Sequence, residues 1–211
     1  MIDPSDIELD SFLRTWYGPP TREAARLPRS YDWLPEPLRE WHGLTSQWDV
    51  NLVHSTAMVA PQEIHIAGDG KAIFMVDPTG DWRWAFDSSD PEKVFDGSSR
   101  DPWIQSSEGV REFLMQNTVR EVINRPRVKS LWAFTVPDEA LVQVTSSMGE
   151  VQFSPCRWPE PGFRFFMGHG ALAEVVDCIH GPGWQVRFVA ASPEVFAGIE
   201  NMEGVDWRSS E

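Results

Sequence analysis

Histidines and cysteines are the residues of this chain whose side chains most readily bind metals or act as nucleophiles. They are His42, His54, His65, His169, His180, Cys156 and Cys178. No two histidines have the spacing of a zinc-binding helix, and the two cysteines lie 22 residues apart with no Cys-x-x-Cys pair. Glu63 and His65 would share one face of a strand, but an ordinary exposed strand face explains them better than a metal site. We therefore expect neither a metal nor a cofactor.

Two further patterns could belong to a catalytic site. The Gly-His-Gly run at 168–170 could bind a phosphate or an oxyanion, but no phosphate-loop lysine or nucleophile elbow accompanies it. A hairpin turn is the better interpretation. The serine pairs at 98–99 and 146–147 have no neighbouring activation motif, although a triad can assemble from residues that are distant in sequence. We expect a binding protein and not an enzyme, with a hydrolase of spatially assembled site as the less favoured alternative.

The segment from 77 to 108 combines acidic residues with tryptophans. It contains eight acids against three bases, and three tryptophans lie among them. Aromatic anchors surrounded by charge are typical of protein interfaces, where they supply affinity and steering. The alternative, favoured for Trp84, is that the tryptophans belong to the core and the acids to solvated loops. The predicted partner-binding residues are Asp77, Asp81, Trp82, Asp87, Asp90, Glu92, Asp96, Asp101 and Trp103.

The overall charge narrows the class of partner. The formal net charge is −14, with 32 acids against 18 bases. Nucleic acids and anionic membranes repel such a surface, so neither is expected as a partner. The charge fits a cationic protein partner, although it could also serve only to keep a Trp-rich chain soluble. The one local concentration of bases suits a solvated helix end and consists of Arg120, Arg125, Arg127 and Lys129.

The first residues and the cysteine content bear on the cellular compartment. Residues 1–6 lack the basic start and apolar run of a secretion signal, and no segment approaches the roughly 18 apolar residues that a membrane-spanning helix needs. Two cysteines are too few for a disulfide framework. We expect a soluble, cytoplasmic protein.

Three helices are predicted within the first 126 residues. A Ser-x-x-Glu capping box at 5–8 opens the first, and a Gly-Pro-Pro run ends it. A short helix at 35–43 lies between a proline and a glycine. The third is predicted at 106–125 and is stopped by the proline that follows. Apolar residues occupy most of its circumference, so we expect this helix to be covered from two directions.

Strands are predicted on both sides of that third helix. Before it, alternating hydrophobic residues and turns rich in Gly, Asp and Pro predict an antiparallel meander, with strands at 63–66, 72–76 and 82–86. After it, a helix beginning at Pro137 precedes four short strands, and a last helix follows Ser192. These four strands are predicted near 151–153, 164–167, 172–178 and 185–190.

The predicted fold class is α+β, with a central, mostly antiparallel sheet and flanking helices, and with a C-terminal β-rich extension packed against it. A core is expected at 1–126, an α+β extension at 127–203, and a flexible tail at 204–211. A chain of 211 residues is long enough to bury a substantial core.

A series of short motifs follows a set order between residues 34 and 123. The series comprises Leu-Pro and a short aromatic helix at 34–42, Ala-Pro at 60–61, a Gly-Asp-Gly hairpin leading to Phe74, a Trp-containing strand at 82–86, Asp-Pro-Glu-Lys-Val-Phe at 90–95, and Pro-Trp at 102–103 before a helix with Phe113 and Leu114. This order resembles the SUKH superfamily of bacterial immunity proteins. Where many members have a Glu-Asn-Gln turn, this chain has Val-Asp-Pro at 76–78.

The resemblance covers about the first 126 residues and implies an α+β fold. It also implies a role in neutralising a toxin made by the same or a related cell. Members act by binding, so no catalytic residue is carried over. The leading hypothesis is an immunity-type protein that occludes a cationic, polymorphic toxin domain through an acidic surface. The alternative is an intracellular scaffold or regulatory protein of the same fold.

Overall fold

The computed structural model describes residues 1–126, 128–168, 170–179 and 181–210, and they form five α-helices and eleven β-strands. The helices are α1 (Leu9–Tyr17), α2 (Glu36–Thr45), α3 (Val110–Ile123), α4 (Asp138–Thr145) and α5 (Pro193–Glu200). The strands are β1 (Ala57–Met58), β2 (Lys71–Val76), β3 (Trp82–Asp87), β4 (Asp90–Ser98), β5 (Ile104–Gly109), β6 (Ser130–Val136), β7 (Gly149–Val151), β8 (Arg164–Gly168), β9 (Ala171–Asp177), β10 (Trp184–Ala190) and β11 (Arg208–Ser210). The helices and two antiparallel sheets confirm the α+β class.

The chain divides into two compact units. The N-terminal unit is Leu9–Asn124, and the C-terminal unit combines Met1–Glu8 with the residues from Arg125 onward. The first eight residues were expected within a core at 1–126. They belong instead to the C-terminal unit, because Ile2 pairs with the β7 edge: its amide donates to the Glu150 carbonyl at 2.8 Å, and its carbonyl accepts from the Gln152 amide at 2.9 Å.

A five-stranded antiparallel meander, in the order β1-β2-β3-β4-β5, forms the sheet of the N-terminal unit. Its β2–β3 turn is closed by the buried Asp77 carboxylate, which accepts hydrogen bonds from Thr79 and from the Trp82 amide. Trp84 lies on the face of the sheet towards α3, where its ring is 5.9 Å from that of Phe113. Because side chains alternate along a strand, the neighbours of Trp84 in β3 point to the opposite face. The core of this unit lies between the sheet and α3.

The predicted meander is present, but its limits differ from those predicted. The expected strand at 63–66 is a turn with a single bridge between Ile66 and Ala72, so Glu63 and His65 do not share a strand face. Conversely, no strand was predicted at β4 or β5. The β4 strand forms because Val94 and Asp96 pair with Phe86 and Trp84 of β3, and such ladder contacts outweigh a low local strand propensity.

The helix expected at 106–125 begins at Val110, since residues 104–109 pair with β4 as a strand and Gly109 occupies the N-cap position. Burial of α3 on most of its circumference is confirmed: 12 of its 14 residues are buried, Glu121 completely. α2 packs on it, and the Trp41 indole donates to Thr118 Oγ1 at 3.2 Å.

The C-terminal unit contains a six-stranded sheet in the order β11-β6-β10-β9-β8-β7. The four strands and two helices predicted for the last third are present, whereas β6 and β11 were not predicted. α4 and α5 supply side chains to its core, where the rings of Phe188 and Phe196 are 5.8 Å apart. β11 pairs with β6 within the segment expected to be a flexible tail. Arg127, His169 and His180, considered above for a basic cluster, a hairpin and metal binding, lie outside the described residues.

Candidate protein-interaction surface

A glycine in β4 allows the following loop to cover the outer face of the five-stranded sheet, opposite α3. Gly97 pairs with Arg83 of β3, and a Cβ atom at Gly97 would lie 3.2 Å from the backbone oxygen of Pro102. A side chain there would push the returning loop off the sheet. The absence of one brings Trp103 over the outer face.

Two contacts hold the Trp103 ring in place. The Arg83 guanidinium stacks on it, with Cζ 4.3 Å from the ring centre. In the second contact, the indole Nε1 of Trp103 donates a hydrogen bond to Asp69 Oδ2 at 2.9 Å. Hydrogen bonds from the Lys71 amide and the Trp103 indole lower the pKa of Asp69, so the carboxylate stays ionised. The ring is therefore oriented before any partner binds.

A second stack of cation on aromatic ring lies on the same outer face. The Lys71 ammonium is 4.0 Å from the centre of the Phe95 ring and 2.6 Å from Asp87 Oδ2. The hydrogen bond from Lys71, with further bonds from Ser89, lowers the pKa of Asp87. Asp87 is thus neutralised by an internal partner and contributes little free charge to the surface.

Exposed acids lie at the end of the sheet next to Trp103. Asp101 precedes the tryptophan by two residues and is exposed, as is Asp81 at the start of β3. The loop that contains Asp101 meets the start of β3 because the Ser99 amide donates to the Asp81 carbonyl at 2.6 Å. We define the Trp103 surface as Asp69, Asp81, Arg83, Asp101 and Trp103.

The nine predicted partner-binding residues do not form a single patch. Asp77 and Asp96 are buried, with 8% and 4% of their surface exposed, so their carboxylates are not available to a docking protein. Trp82 shares the α3-facing side of β3 with Trp84, whereas Trp103 lies on the outer face. Asp81, Glu92 and Asp101 are exposed, and Asp87 and Asp90 are half-buried and paired with Lys71 and Lys93.

Three contributors to this surface were missed by sequence reasoning. Asp69 was considered only as part of a turn, Arg83 only as a base among acids, and Gly97 not at all. A glycine inside a strand next to a Pro-Trp pair signals close backbone approach and could have been found. The hydrogen bond between Asp69 and Trp103 spans 34 residues and has no local signal.

A buried acid lies beneath the sheet between β4, β5 and α3. Burial raises the pKa of Glu108 to about 7, and the charges of Glu112 and Asp96 add to this while Arg120 opposes it. One carboxylate oxygen of Glu108 has no hydrogen-bond partner among the described residues. Among all the residues that the structure describes, no group of three or more His, Cys, Asp and Glu side chains could hold a metal ion.

Comparison with models of known protein families, with curated proteins and with solved structures finds no match to this chain. Among the helices described, none has both the length and the apolar character required to cross a membrane.

Proposed function

We propose that this chain is an immunity-type protein that binds and occludes a cationic toxin domain through the Trp103 surface. The observation that carries the proposal is the ordered indole of Trp103, held by Arg83 and Asp69 with exposed acids beside it. Binding loses less conformational entropy when an aromatic anchor is already ordered. Tryptophan is also one of the side chains enriched among the residues that dominate binding energy.

The charge supports a cationic partner. Asp81 and Asp101 are exposed at one end of the sheet, and the whole chain carries −14. Complementary charge accelerates association and disfavours acidic competitors. A hydrophobic patch without this charge would not favour a cationic partner over an acidic one.

The resemblance to SUKH immunity proteins supports the toxin as the class of partner. Its ordered motifs run from Leu34 to Ile123, which falls within the N-terminal unit, Leu9–Asn124. The Trp103 surface lies in the same unit and includes the aspartate of the Gly-Asp-Gly motif and the tryptophan of the Pro-Trp motif. A binding role for these two motif residues would explain why the motifs occur together.

The test pairs the chain with the toxin domain encoded beside its gene. Co-expression in a bacterial host should restore growth, and Trp103→Ala should reduce protection. Trp132→Ala is the matched control, because Trp132 also stacks with an arginine (Arg208, 5.1 Å) but lies in the C-terminal unit. Circular dichroism of both variants verifies that they fold. Absence of protection by the wild type, or capture of only a housekeeping protein, would overturn the proposal and favour the scaffold alternative.

A further inference from the structure

A pocket lies between α2, the segment after it and β1, away from the Trp103 surface in sequence but in the same N-terminal unit. Its volume is about 370 Å³, within the range of sites that bind small ligands or single side chains. Its lining has apolar and polar members and no charged one: Trp41, Thr45, Val50, Asn51, Leu52, Val53, Thr56, Ala57 and Met58.

Directly behind this lining lies a buried negative charge. Glu121 of α3 is completely buried and accepts hydrogen bonds from Thr56 Oγ1 at 2.7 Å, from the Ser55 amide and hydroxyl at 2.8 Å each, and from the His54 amide. No lysine or arginine of the described chain forms an ion pair with it. The hydrogen bonds satisfy the carboxylate, and weak screening in the interior lets a charge on Glu121 act at the pocket floor, where Thr56 lies.

The charged residue that precedes the pocket lining is already paired. Asp49, which precedes the first lining residue Val50, is paired with Arg22 at 2.8 Å. That pair is neutral as a whole and exposed to solvent screening. Glu121 is the charged group that contacts the lining directly, through Thr56.

The mixed lining selects a ligand that is apolar along its length and positive at its end. A carboxylate would be repelled by Glu121, and a wholly apolar group would gain nothing from the charge of Glu121. Lysine and arginine side chains combine a methylene stem with a cationic end, which is the chemistry that this pocket offers to a ligand.

We propose that this pocket binds a lysine or arginine side chain presented by a protein partner. The charge of −14 favours cationic proteins in general, and the pocket supplies one defined site for a single side chain of such a protein. The inference does not depend on the Trp103 surface or on the partner being a toxin, because it rests on Glu121 and the pocket lining alone.

The first experiment uses small probes and nuclear magnetic resonance. Nα-acetyl-lysine methylamide and Nα-acetyl-arginine methylamide should cause saturable shifts of the Trp41 indole and of the amides of residues 50–58. Nα-acetyl-norleucine methylamide, which has the apolar stem without the charge, should bind at least about tenfold more weakly. Added salt should weaken only the two cationic probes. Equal binding of norleucine, or no saturable shift with any probe, would overturn the proposal.

A pair of variants separates the pocket from general charge. Asn51→Lys places a positive charge at the pocket and should weaken binding of both cationic probes by about tenfold or more. Ile66→Lys makes the same change of net charge at a residue that is 51% exposed and outside the pocket, and should leave binding unchanged. Equal loss in both variants would show that the probes respond only to overall charge. Because neither experiment contains a toxin, their failure would leave the proposed function standing, and failure of toxin neutralisation would leave this site standing.

Discussion

The indole Nε1 of Trp103 donates a hydrogen bond of 2.9 Å to Oδ2 of Asp69. This bond ties the turn before β2 to the loop before β5, at opposite ends of the meander in sequence. Gly97 makes room for the loop, and Arg83 supports the ring from the sheet. The candidate surface thus depends on residues whose main effect is to position one aromatic side chain.

The need for a glycine at position 97 can be tested by stability. Gly97→Ala should reduce the free energy of unfolding by about 1 kcal/mol or more, because the added Cβ would lie 3.2 Å from the Pro102 oxygen. Gly68→Ala is the control, since nothing lies within 4 Å of a Cβ there. Urea denaturation measures both. Equal stability of the two variants would show that the loop is not held against β4.

Steering by exposed acids can be tested by association kinetics with the toxin domain. Replacing Asp81, Glu92 and Asp101 by Asn or Gln should slow association and flatten its dependence on salt, with the fold retained. The structure excludes Asp87 and Asp96 from this set, since the first is paired with Lys71 and the second is buried.

The control for that experiment must change the net charge equally. Glu23, Glu36 and Glu63 are exposed acids of the same unit outside the acidic segment 77–108, and all three can be changed to Gln. Stopped-flow mixing compares the two triple variants. If the control slows association as much, only the overall charge of the chain attracts the partner.

Glu108 should make stability decrease as the pH rises. Its pKa in the folded chain is about 7 and its usual value is 4.5, so the folded state binds the proton more tightly. The stabilisation is fully present below pH 4.5 and is lost as the pH rises through 7, by about 3 kcal/mol in total. Glu108→Gln, which cannot ionise, should be more stable than the wild type at pH 8. A variant with an unchanged pH profile of unfolding would contradict this.

His42 should act in the opposite direction. Burial lowers its pKa to about 4 from 6.5, and its Nε2 has no hydrogen-bond partner among the described residues. The contribution of neutral His42 to the free energy of unfolding is present above pH 6.5 and is lost as the pH falls through 4. The loss is about 2 kcal/mol after allowance for partial exposure. Between pH 4.5 and 6.5 the slopes from Glu108 and His42 oppose each other. His42→Gln should therefore steepen the loss of stability with rising pH in that window, as measured by thermal unfolding.

The pairing of Ile2 with β7 should protect an edge of the six-stranded sheet. Ile2→Pro removes the amide that donates to the Glu150 carbonyl, and unpaired strand edges promote association between chains. We expect a lower midpoint of thermal unfolding and concentration-dependent association in light scattering. Ile2→Val, which keeps the amide, should behave like the wild type. Monomeric Ile2→Pro of unchanged stability would show that the edge needs no cover.

Local sequence was sufficient to predict the α+β class, the β2–β3 hairpin of the meander, and the helices and four strands of the last third. Periods of two and of 3.6 residues reflect which face of an element is buried, and Gly and Pro mark where elements end. Each of these signals spans only a few residues, so it can be recognised without knowing which distant residues pack against the element. The broad burial of α3 could be predicted for the same reason, from apolar residues around its circumference.

The candidate site depended on pairings between distant residues. The acidic segment at 90–98 became a strand because β3 supplies its hydrogen bonds, which also buried Asp96. Residues 106–108, predicted as the start of the third helix, joined the strand that pairs with β4, so that α3 begins later, at Val110. Trp82 and Trp103, close in sequence, were separated onto opposite faces, and Asp69 reached Trp103 across 34 residues. Hydrogen bonding between strands and the choice of buried face are set by partners far along the chain, and local periodicity contains no information about them.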